Sequence, residues 1–430
     1  MRASGEAAAR EDFFELDCLR GIAISLVFSI HAEGIVNWLY RVPPDASLWR
    51  SFIYGGHTAP TLFFVLSAFL LSRPFLAELR GGRRVNVRNY FVRRALRIVP
   101  LYATAVLVAI LATARSMSDV LEALPYFAFL NAVPGLVAPM HPFSGPWWTV
   151  IIEVEFYLLL PLLAFAARSR RGQVVAVSFL LAYLGLYGAL AFGWLRFADG
   201  TQYALAHSAL GRGPSFLVGM IAAVLYDRYG TAVRDLGARH GWRARLVGDV
   251  LIVGTVLALG ALLQWNVTAG NYVDLEIAWP VWRIPESILW ATVLLLLVTA
   301  PMHVKPLFAN RVWAHLGLMS YSIYLIHTPL LLYGREVIRA WFPGVLHGWT
   351  PASATAVLVL ASIAVTLASI TYRIIELPAM RRKLRVPLWA PTSGGPAQAP
   401  SVATLAPRLS GPTQLAEARL HHTSPRTESL

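Results

Sequence analysis

Long apolar segments recur along the whole chain and are separated by short polar connections. An α-helix needs about 20 apolar residues to cross the hydrocarbon core of a bilayer. Windows of that length predict spanning helices at 17–37, 58–77, 97–115, 148–167, 174–194, 210–226, 247–265, 284–301, 312–333 and 353–375. The pattern therefore predicts an all-α fold, a polytopic transmembrane bundle of about ten helices.

The composition agrees with a membrane protein. Of the 430 residues, 57% are hydrophobic and 14% are charged, and the mean hydropathy is +0.56. A soluble domain carries roughly 45–50% apolar and about 25% charged residues. This chain could not cover its surface with polar groups in water, which argues against a soluble enzyme.

The basic residues indicate the orientation of the helices. With the N-terminus inside, 25 basic residues fall in cytoplasmic connections and tails, against eight on the other side: Arg41, Arg50, Arg115, Arg196, Arg212, Arg283, Arg335 and Arg339. Cytoplasmic loops of membrane proteins are enriched in Lys and Arg. The bias predicts an even number of spans in the inner (plasma) membrane, with both termini cytoplasmic. The arginines concentrate in every second connection between the predicted spans and do not form one basic stripe with interleaved aromatic residues. We therefore expect no nucleic-acid partner.

Three regions are predicted along the chain. Residues 1–16 form a cytoplasmic N-terminal segment, 17–378 the membrane domain, and 379–430 a basic juxtamembrane stretch with a disordered cytoplasmic tail. The single cysteine, Cys18, allows no intramolecular disulfide and no thiolate metal cluster. No metal-ligand spacing or phosphate-binding glycine loop occurs, so we expect no bound metal and no resident cofactor.

Ionisable residues inside the spans are candidates for function, because each costs about 2.5–3.5 kcal/mol to place at mid-bilayer on insertion scales. In the first helix Arg20 and His31 are eleven positions apart. At about 100° and 1.5 Å per residue they share one face, roughly 16 Å apart along the axis. A functional pair and a snorkelling Arg with a structural His are equally compatible with this spacing.

The fourth predicted helix carries Glu153 and Glu155, which point to nearly opposite sides. Glu153 and Tyr157 are one turn apart and share a face, so Glu153 is the candidate interior carboxylate. Glu155 faces elsewhere. Trp148, at the outer end, is by default part of an aromatic belt.

Polar groups also enter the ninth predicted helix, where Tyr324 and His327 are neighbours at i and i+3. A hydrogen-bonded packing patch between helices explains them as well as a ligand site does. No choice between the two follows from spacing.

Arg94 and Arg97 lie one turn apart where the third predicted helix begins. Guanidinium groups at a membrane face bind phosphate well. The simpler explanation of this pair is an anchor on the basic side of the membrane that attracts anionic headgroups.

Taken in order, several segments resemble the bacterial membrane acyltransferase 3 family, whose members O-acylate sugars, glycolipids and macrolides. The matching stretches run from residue 16 to about 329 and are LDCLRGIAISLVFSIH, FFVLSAFLL, RRALRIVPLY, WTVIIEVEFY, GRGPSFLVGM and SYSIYLIHTP, with a weaker echo in YRIIELP. Each piece alone is an unusual hydrophobic helix, but the ordered combination is specific. The resemblance covers nearly all of the membrane part.

The resemblance implies roles for individual residues. Arg20 and His31 match the family's paired Arg and His, the His being associated with acyl transfer, and Arg94 and Arg97 match its arginines associated with the acyl-CoA donor. Residues Trp148, Glu153 and Tyr157 match its tryptophan-to-glutamate segment, and the family's Ser-Gly-Phe is here Ser67, Ala68 and Phe69. Because Ala68 carries a methyl group where the family has glycine, another backbone is not expected to approach this point as closely.

From this resemblance and the buried charges we predict an integral membrane O-acyltransferase. The expected reaction moves an acyl group, chiefly acetyl, from cytoplasmic acyl-CoA as co-substrate to a hydroxyl of a glycan, glycolipid or macrolide-like acceptor. The predicted catalytic residues are His31, Glu153 and Arg20: His31 is the general base, or alternatively the covalent carrier of the acyl group, and Glu153 orients or charge-balances it. Arg20, Arg94 and Arg97 would hold the CoA phosphates.

The remaining candidate substrate-binding residues are Ser67, Trp148, Tyr157, Tyr324 and His327. Membrane lipid is the other expected partner. Two alternatives remain open: a transporter or flippase for a glycan or lipid that uses the same buried Arg, His and Glu for proton coupling, and a structural or signalling membrane protein.

Overall fold

A computed structural model of the protein describes residues 14–37, 47–130, 139–268 and 279–390. The chain divides into two units, 1–390 and 391–430, and every described residue belongs to the first. Most of the predicted N-terminal segment and the predicted disordered tail from residue 391 onward therefore lie outside the described residues.

The described residues form helices joined by short connections. The helices are α1 Phe14–Val36, α2 Leu48–Tyr54, α3 Ala59–Leu79, α4 Val87–Thr113, α5 Met117–Ala123, α6 Trp148–Ala167, α7 Arg170–Ala191, α8 Asp199–Ala206, α9 Ala209–Thr268, α10 Trp279–Thr299, α11 Lys305–Phe308, α12 Arg311–Leu318, α13 Ser320–Trp341, α14 Pro351–Thr371 and α15 Leu377–Arg385. A π-helix, Tyr372–Glu376, joins α14 to α15.

The predicted all-α transmembrane bundle is confirmed. Eight helical stretches of the described chain are long and apolar enough to cross a membrane, or nine if the bent pair of α11–α12 and α13 forms one span. The ten predicted windows map onto these nine, because α9 contains two of them on either side of a break at Gly241. Gly241 has φ 51° and ψ −117°, a backbone conformation that glycine adopts without a steric cost from Cβ.

The outward faces of the bundle are apolar, as lipid contact requires. In α7 the only fully buried residue is Tyr187, while Phe179 is 64% exposed. On other helices Leu162, Val250 and Leu358 are similarly exposed. A water-soluble protein rarely carries such large contiguous apolar surfaces, so the chain is a multi-pass membrane protein.

Contacts between helix ends define the two ends of the bundle. At the end that we call the Glu15 end, Lys305 pairs with Glu15 at 2.7 Å and Arg168 with Glu78 at 2.6 Å. At the opposite end, called the Glu33 end, Trp349 Nε1 donates to Glu33 Oε2 at 2.5 Å. The Glu15 end holds the beginnings of α1, α4 and α7 and the α15 helix.

Glycines allow the closest helix approaches. A Cβ added to Gly21 of α1 would lie 2.0 Å from the Trp313 carbonyl oxygen of α12, and one added to Gly317 would lie 1.8 Å from the Asp17 carbonyl oxygen. Small residues let backbones meet in this way where no hydrophobic effect drives helices together. The α1–α12 contact fixes the position of the first helix, which carries Arg20 and His31.

The assignment of Arg212 and Arg283 to outer loops is wrong. Arg212 lies near the start of α9 and Arg283 near the start of α10, and their exposed fractions are 4% and 6%. Arg283 donates to Glu286 at 3.0 Å and to Thr61 at 3.2 Å. Hydropathy windows placed these arginines at span boundaries. Their burial is tolerable because Arg283 has Glu286 one turn along its own helix and Thr61 on α3, and Arg212 Nε donates to the Ala206 carbonyl oxygen.

Candidate active site

A carboxylate with two hydroxyl donors lies in the middle of the bundle. Ser67 Oγ of α3 and the Tyr157 hydroxyl of α6 both donate to Glu153 Oε1, each at 2.6 Å. Tyr157 reaches Glu153 from one turn along the same helix, as the spacing predicts, whereas Glu155 is exposed. The carboxylate oxygen thus joins α3 to α6 through two short hydrogen bonds.

A pair of histidines lies on α1 and α13. The ring centroids of His31 and His327 are 4.8 Å apart, with an interplanar angle of 80°. His327 is fully buried. Its Nδ1 lies 2.7 Å from the Tyr324 carbonyl oxygen and its Nε2 lies 3.1 Å from Thr328 Oγ1. With both ring nitrogens engaged, His327 is a fixed neighbour of His31.

The hydrogen bond of His31 sets its tautomer. Nδ1 lies 2.8 Å from the carbonyl oxygen of Val27, one turn earlier in α1. A carbonyl oxygen only accepts, so the bond assigns the proton to Nδ1 and the lone pair to Nε2 in the neutral ring. This is the state that a general base needs.

Tyr324 lies beside His327, with ring centroids 5.6 Å apart, and Trp148 is the first residue of α6. The Tyr324 hydroxyl lies 2.6 Å from Thr149 Oγ1 and donates to the Pro146 carbonyl oxygen, which ties α13 to the beginning of α6. Trp148 has Arg212 over its ring at 4.8 Å and His207 at 4.4 Å between centroids. Trp148 therefore packs against polar side chains of the protein, whereas the sequence alone indicates a residue of the aromatic belt at the membrane surface.

The predicted donor arginines lie on α4 at the Glu15 end, but they differ in their partners. Arg97 donates to Glu376 Oε2 of the π-helix at 3.0 Å, and Ser322 Oγ donates to the other oxygen of Glu376 at 2.5 Å. The Arg94 guanidinium lies 5.8 Å from the centroid of the Tyr157 ring. Tyr157 thereby links the arginines to the Glu153 carboxylate.

Arg20 lies half-buried at the same end and pairs with Asp17 at 2.7 Å. Its side chain is 27% exposed. Since this pair is local, one turn along α1, it leaves Arg20 on the α1 face that carries His31 further along the helix. The predicted residues therefore fall into three groups: the arginines at the Glu15 end, Glu153 with its two hydroxyl donors, and the histidine pair on α1 and α13.

The expected pairing of Glu153 with His31 is not the one that the structure shows. Glu153 was expected to orient or charge-balance His31, but its oxygen accepts from Ser67 and Tyr157, and the ring beside His31 belongs to His327. The physical reason is that α13 packs against α1 at this level, so the neighbour of His31 comes from a helix that the spacing within α1 and α6 does not reveal.

Two further residues, Glu376 and Lys383, lie against the α4 arginines and were not candidates from the sequence. Glu376 is 3% exposed and joins α4 to α13 through Arg97 and Ser322. The YRIIELP echo contains it and was the available signal. Lys383 was counted among the basic residues of the juxtamembrane stretch. Across the described part of the chain, no group of three His, Cys, Asp or Glu side chains is placed to hold a metal ion.

The departure at Ala68 has a structural explanation. Ala68 is fully buried in α3. A Cβ added to Gly219 of α9 would lie 2.7 Å from the Ala68 Cβ. The space between α3 and α9 therefore holds one methyl group at this point. Ala68 supplies it, and Gly219 opposite has no Cβ that would clash with it.

Comparison with known proteins decides the family. The sequence profile of an acyltransferase domain, that of acyltransferase 3, matches residues 13–371. The chain belongs to the acyltransferase 3 family. The match spans α1 to the end of α14, so the acyltransferase 3 domain contains Ser67, both histidines, Glu153 and the α4 arginines, whereas Glu376 and Lys383 follow it.

Curated relatives of this acyltransferase 3 chain are distant. The O-acetyltransferase OatA of Staphylococcus aureus strain NCTC 8325 is 20% identical over 401 residues, covering 88% of this chain and 59% of the relative. OatA of strain MRSA252 is 21% identical, covering 86% and 57%, and a putative O-acetyltransferase of strain COL is 20% identical, covering 88% and 59%. The chain thus spans under three fifths of these relatives. No solved structure gives a significant match.

Proposed function

We propose that the protein is an integral membrane O-acyltransferase that moves an acyl group, acetyl in the first instance, from acyl-CoA to a hydroxyl. The acceptor is a sugar-containing, polysaccharide, glycolipid or macrolide-type molecule. Family membership and relatives named O-acetyltransferases support the reaction class. The observation that carries the proposal is His31, whose Nδ1 bond to Val27 leaves Nε2 as a base.

In this reaction His31 Nε2 takes the proton of the acceptor hydroxyl while the oxygen attacks the thioester carbonyl. The C–S bond breaks as the ester C–O bond forms, and the proton returns to the departing thiolate of CoA. The ring of His327, 4.8 Å away, limits the orientations open to His31. A held imidazole costs less reorganisation at the moment of proton transfer.

The arginines at the Glu15 end would hold the donor's phosphates, and the Glu153 carboxylate would lie between them and the histidines. The 25 to eight bias in basic residues supports a cytoplasmic Glu15 end in the plasma membrane. Acyl-CoA would then enter from the cytoplasm, where it is made, and the reacting group would extend along the α1 face from Arg20 toward His31.

The test replaces His31 with Gln and with Ala and supplies [acetyl-¹⁴C]acetyl-CoA to membranes from cells that contain the acceptor. We expect base-labile ¹⁴C-ester product to fall by at least about 100-fold, the usual contribution of a general base. The matched control is His240→Gln. His240 makes the same Nδ1 contact to a carbonyl one turn earlier, at 3.1 Å, but is exposed.

Retained ester formation in a His31→Gln protein that accumulates normally would overturn the assignment of the base. A wild-type protein that moves a glycan or lipid across vesicles, yields no ester and consumes no acetyl-CoA would be a transporter, and the proposed activity would be wrong.

A further inference from the structure

The face of α4 at the Glu15 end carries polar atoms that no partner satisfies. Tyr90, Arg94 and Arg97 are spaced i, i+4 and i+7 and share this face. Arg97 is bound to Glu376. The Tyr90 hydroxyl and the Arg94 Nε are buried without a hydrogen-bond partner among the described residues. Buried polar groups are nearly always satisfied, so these two atoms are candidates to bind a ligand.

The last helix, α15, closes over the same face. Arg93 of α4 donates to the carbonyl oxygens of Lys383 at 3.0 Å and Val386 at 2.8 Å, and Arg97 lies 3.2 Å from Met380 Sδ. Lys383 is one turn after Met380, so it points to the same side. Lys383 is half-buried, whereas the other basic residues of α15 are exposed: Arg381, Arg382 and Arg385.

Lys383 therefore enters a group of like charges. It interacts electrostatically with Arg20, Arg93, Arg94 and Arg97. Two of these arginines have ion-pair partners, Asp17 for Arg20 and Glu376 for Arg97. Within the described part of the chain neither Lys383 nor Arg94 forms an ion pair. Like charges at short range in a poorly solvated place repel strongly, and a lysine serving only as an anchor would turn outward like its neighbours on α15.

We propose that Lys383, with Arg94 and the Tyr90 hydroxyl, binds a phosphate group of the donor nucleotide, so that α15 is one wall of the donor site. The inference rests on the proposed acyl-CoA donor and extends it to a helix outside the matched family domain. Arg97, which the proposed function also places on the donor, is bound to Glu376 and so joins α4 to the π-helix and, through Ser322, to α13.

The chemistry of the three groups suits a phosphate. An ammonium ion acts as a point charge, and a guanidinium adds directed N–H donors. A tyrosine hydroxyl donates one further bond. Arg94 also lies over the Tyr157 ring, and Tyr157 binds Glu153. A nucleotide phosphate held between Lys383 and Arg94 leaves the rest of the donor free to extend past Tyr157 toward the histidines.

Charge reversal gives the sharpest test. Lys383→Glu places a carboxylate among the arginines, so the purified full chain in detergent should melt at the same or a higher temperature without ligand. The Kd for CoA should rise roughly 10-fold to 100-fold, the loss expected for a bond between charged groups. Arg382→Glu, on the exposed side of the same helix, is the matched control and should leave the Kd for CoA within about twofold.

A second measurement separates the phosphate from the rest of the donor. Acetyl-pantetheine carries the thioester but no phosphate. Lys383→Gln and Arg94→Gln should raise the KM for acetyl-CoA by about tenfold or more, with a much smaller change in kcat. For both variants kcat/KM should fall about tenfold more with acetyl-CoA than with acetyl-pantetheine. A structural role for Lys383 would instead lower turnover with both donors.

Three results would overturn the proposal. One is an unchanged Kd for CoA in both Lys383 variants. Another is equal loss of acetyl-CoA and acetyl-pantetheine turnover. The third is a variant that loses binding to phosphatidylglycerol vesicles while CoA binding persists, which would assign Lys383 to a lipid headgroup. CoA binding is measured without turnover, so a wild-type protein that binds CoA but forms no ester would contradict the proposed activity and leave the phosphate site standing.

Discussion

At the scale of single residues, the centre of the site depends on one oxygen atom. Glu153 Oε1 accepts from both Ser67 and Tyr157 at 2.6 Å, and these donors come from two different helices. A carboxylate placed among apolar helices is stabilised by its donors more than by any other local contact. The charge of Glu153 and the packing of α3 against α6 are therefore coupled.

This coupling predicts a cooperative double-mutant cycle. Ser67→Ala and Tyr157→Phe should each destabilise the protein by about 1–3 kcal/mol, because each removes a hydrogen bond to a charged group. The double variant should lose more free energy of unfolding than the sum of the two single losses, because Glu153 Oε1 then has neither hydroxyl donor. Thermal unfolding in detergent measures all four proteins.

Two controls sharpen the cycle. In a Glu153→Gln background the effect of Ser67→Ala should shrink, because the acceptor is neutral. Ser25→Ala removes a local bond from Ser25 Oγ to the Gly21 carbonyl oxygen and should be nearly neutral. Additive losses that are the same in both backgrounds would contradict a shared charged acceptor.

At the scale of helices, the position of α1 depends on its contact with α12. Gly21 and Gly317 bring the two backbones together, and the Cys18 thiol lies 3.3 Å from the Asn310 carbonyl oxygen that precedes α12. Since α1 carries Arg20 at one level and His31 at another, a shift of α1 would move both ends of the site together.

A methyl group at this contact should therefore be costly. Gly317→Ala places a Cβ about where the Asp17 carbonyl oxygen lies, and overpacking of this kind costs about 1–3 kcal/mol or more. We expect a lower Tm in detergent and a smaller monodisperse fraction on purification. Gly185→Ala on the outward face of α7, where nothing lies within 4 Å, is the control and should be neutral or slightly stabilising. Equal effects of the two changes would disprove close packing as the cause.

At the scale of the whole molecule, the beginning and the end of the membrane part meet at the Glu15 end. Arg97 binds Glu376 across 279 residues of sequence, and the Ala390 amide donates to the Arg84 carbonyl oxygen. Removing the buried Arg212 and Arg283 from the outer-loop count leaves six basic residues against 25. The basic bias that predicts a cytoplasmic Glu15 end is therefore 25 to six, not 25 to eight.

Cysteine labelling tests this orientation. Cys18 is fully buried, so the unaltered chain should react little with a membrane-impermeant maleimide. Arg382→Cys on α15 should be labelled only after cell lysis. Ser118→Cys, exposed in α5 beyond the other end of α4, should be labelled in intact cells. The reverse pattern would invert the predicted topology, and labelling of both sites in intact cells would contradict a membrane crossing between them.

The order of the amino acids was enough to predict the helical membrane fold, the approximate spans and a short set of candidate site residues. Apolar windows of about 20 residues and the phase of Glu153 with Tyr157 are local properties, readable without knowing how helices pack. Motif order was enough to indicate the family, which the match over residues 13–371 shows.

Which of these groups meet depends on how the helices pack against one another. Ser67 binds Glu153 from 86 residues away, His327 comes to lie beside His31, and Lys383 turns in toward Arg94 among the arginines of α4. Helical periodicity specifies a face but not its neighbour. The neighbour depends on close contacts such as Gly21 with Trp313, whose geometry is set by packing between segments far apart in the chain.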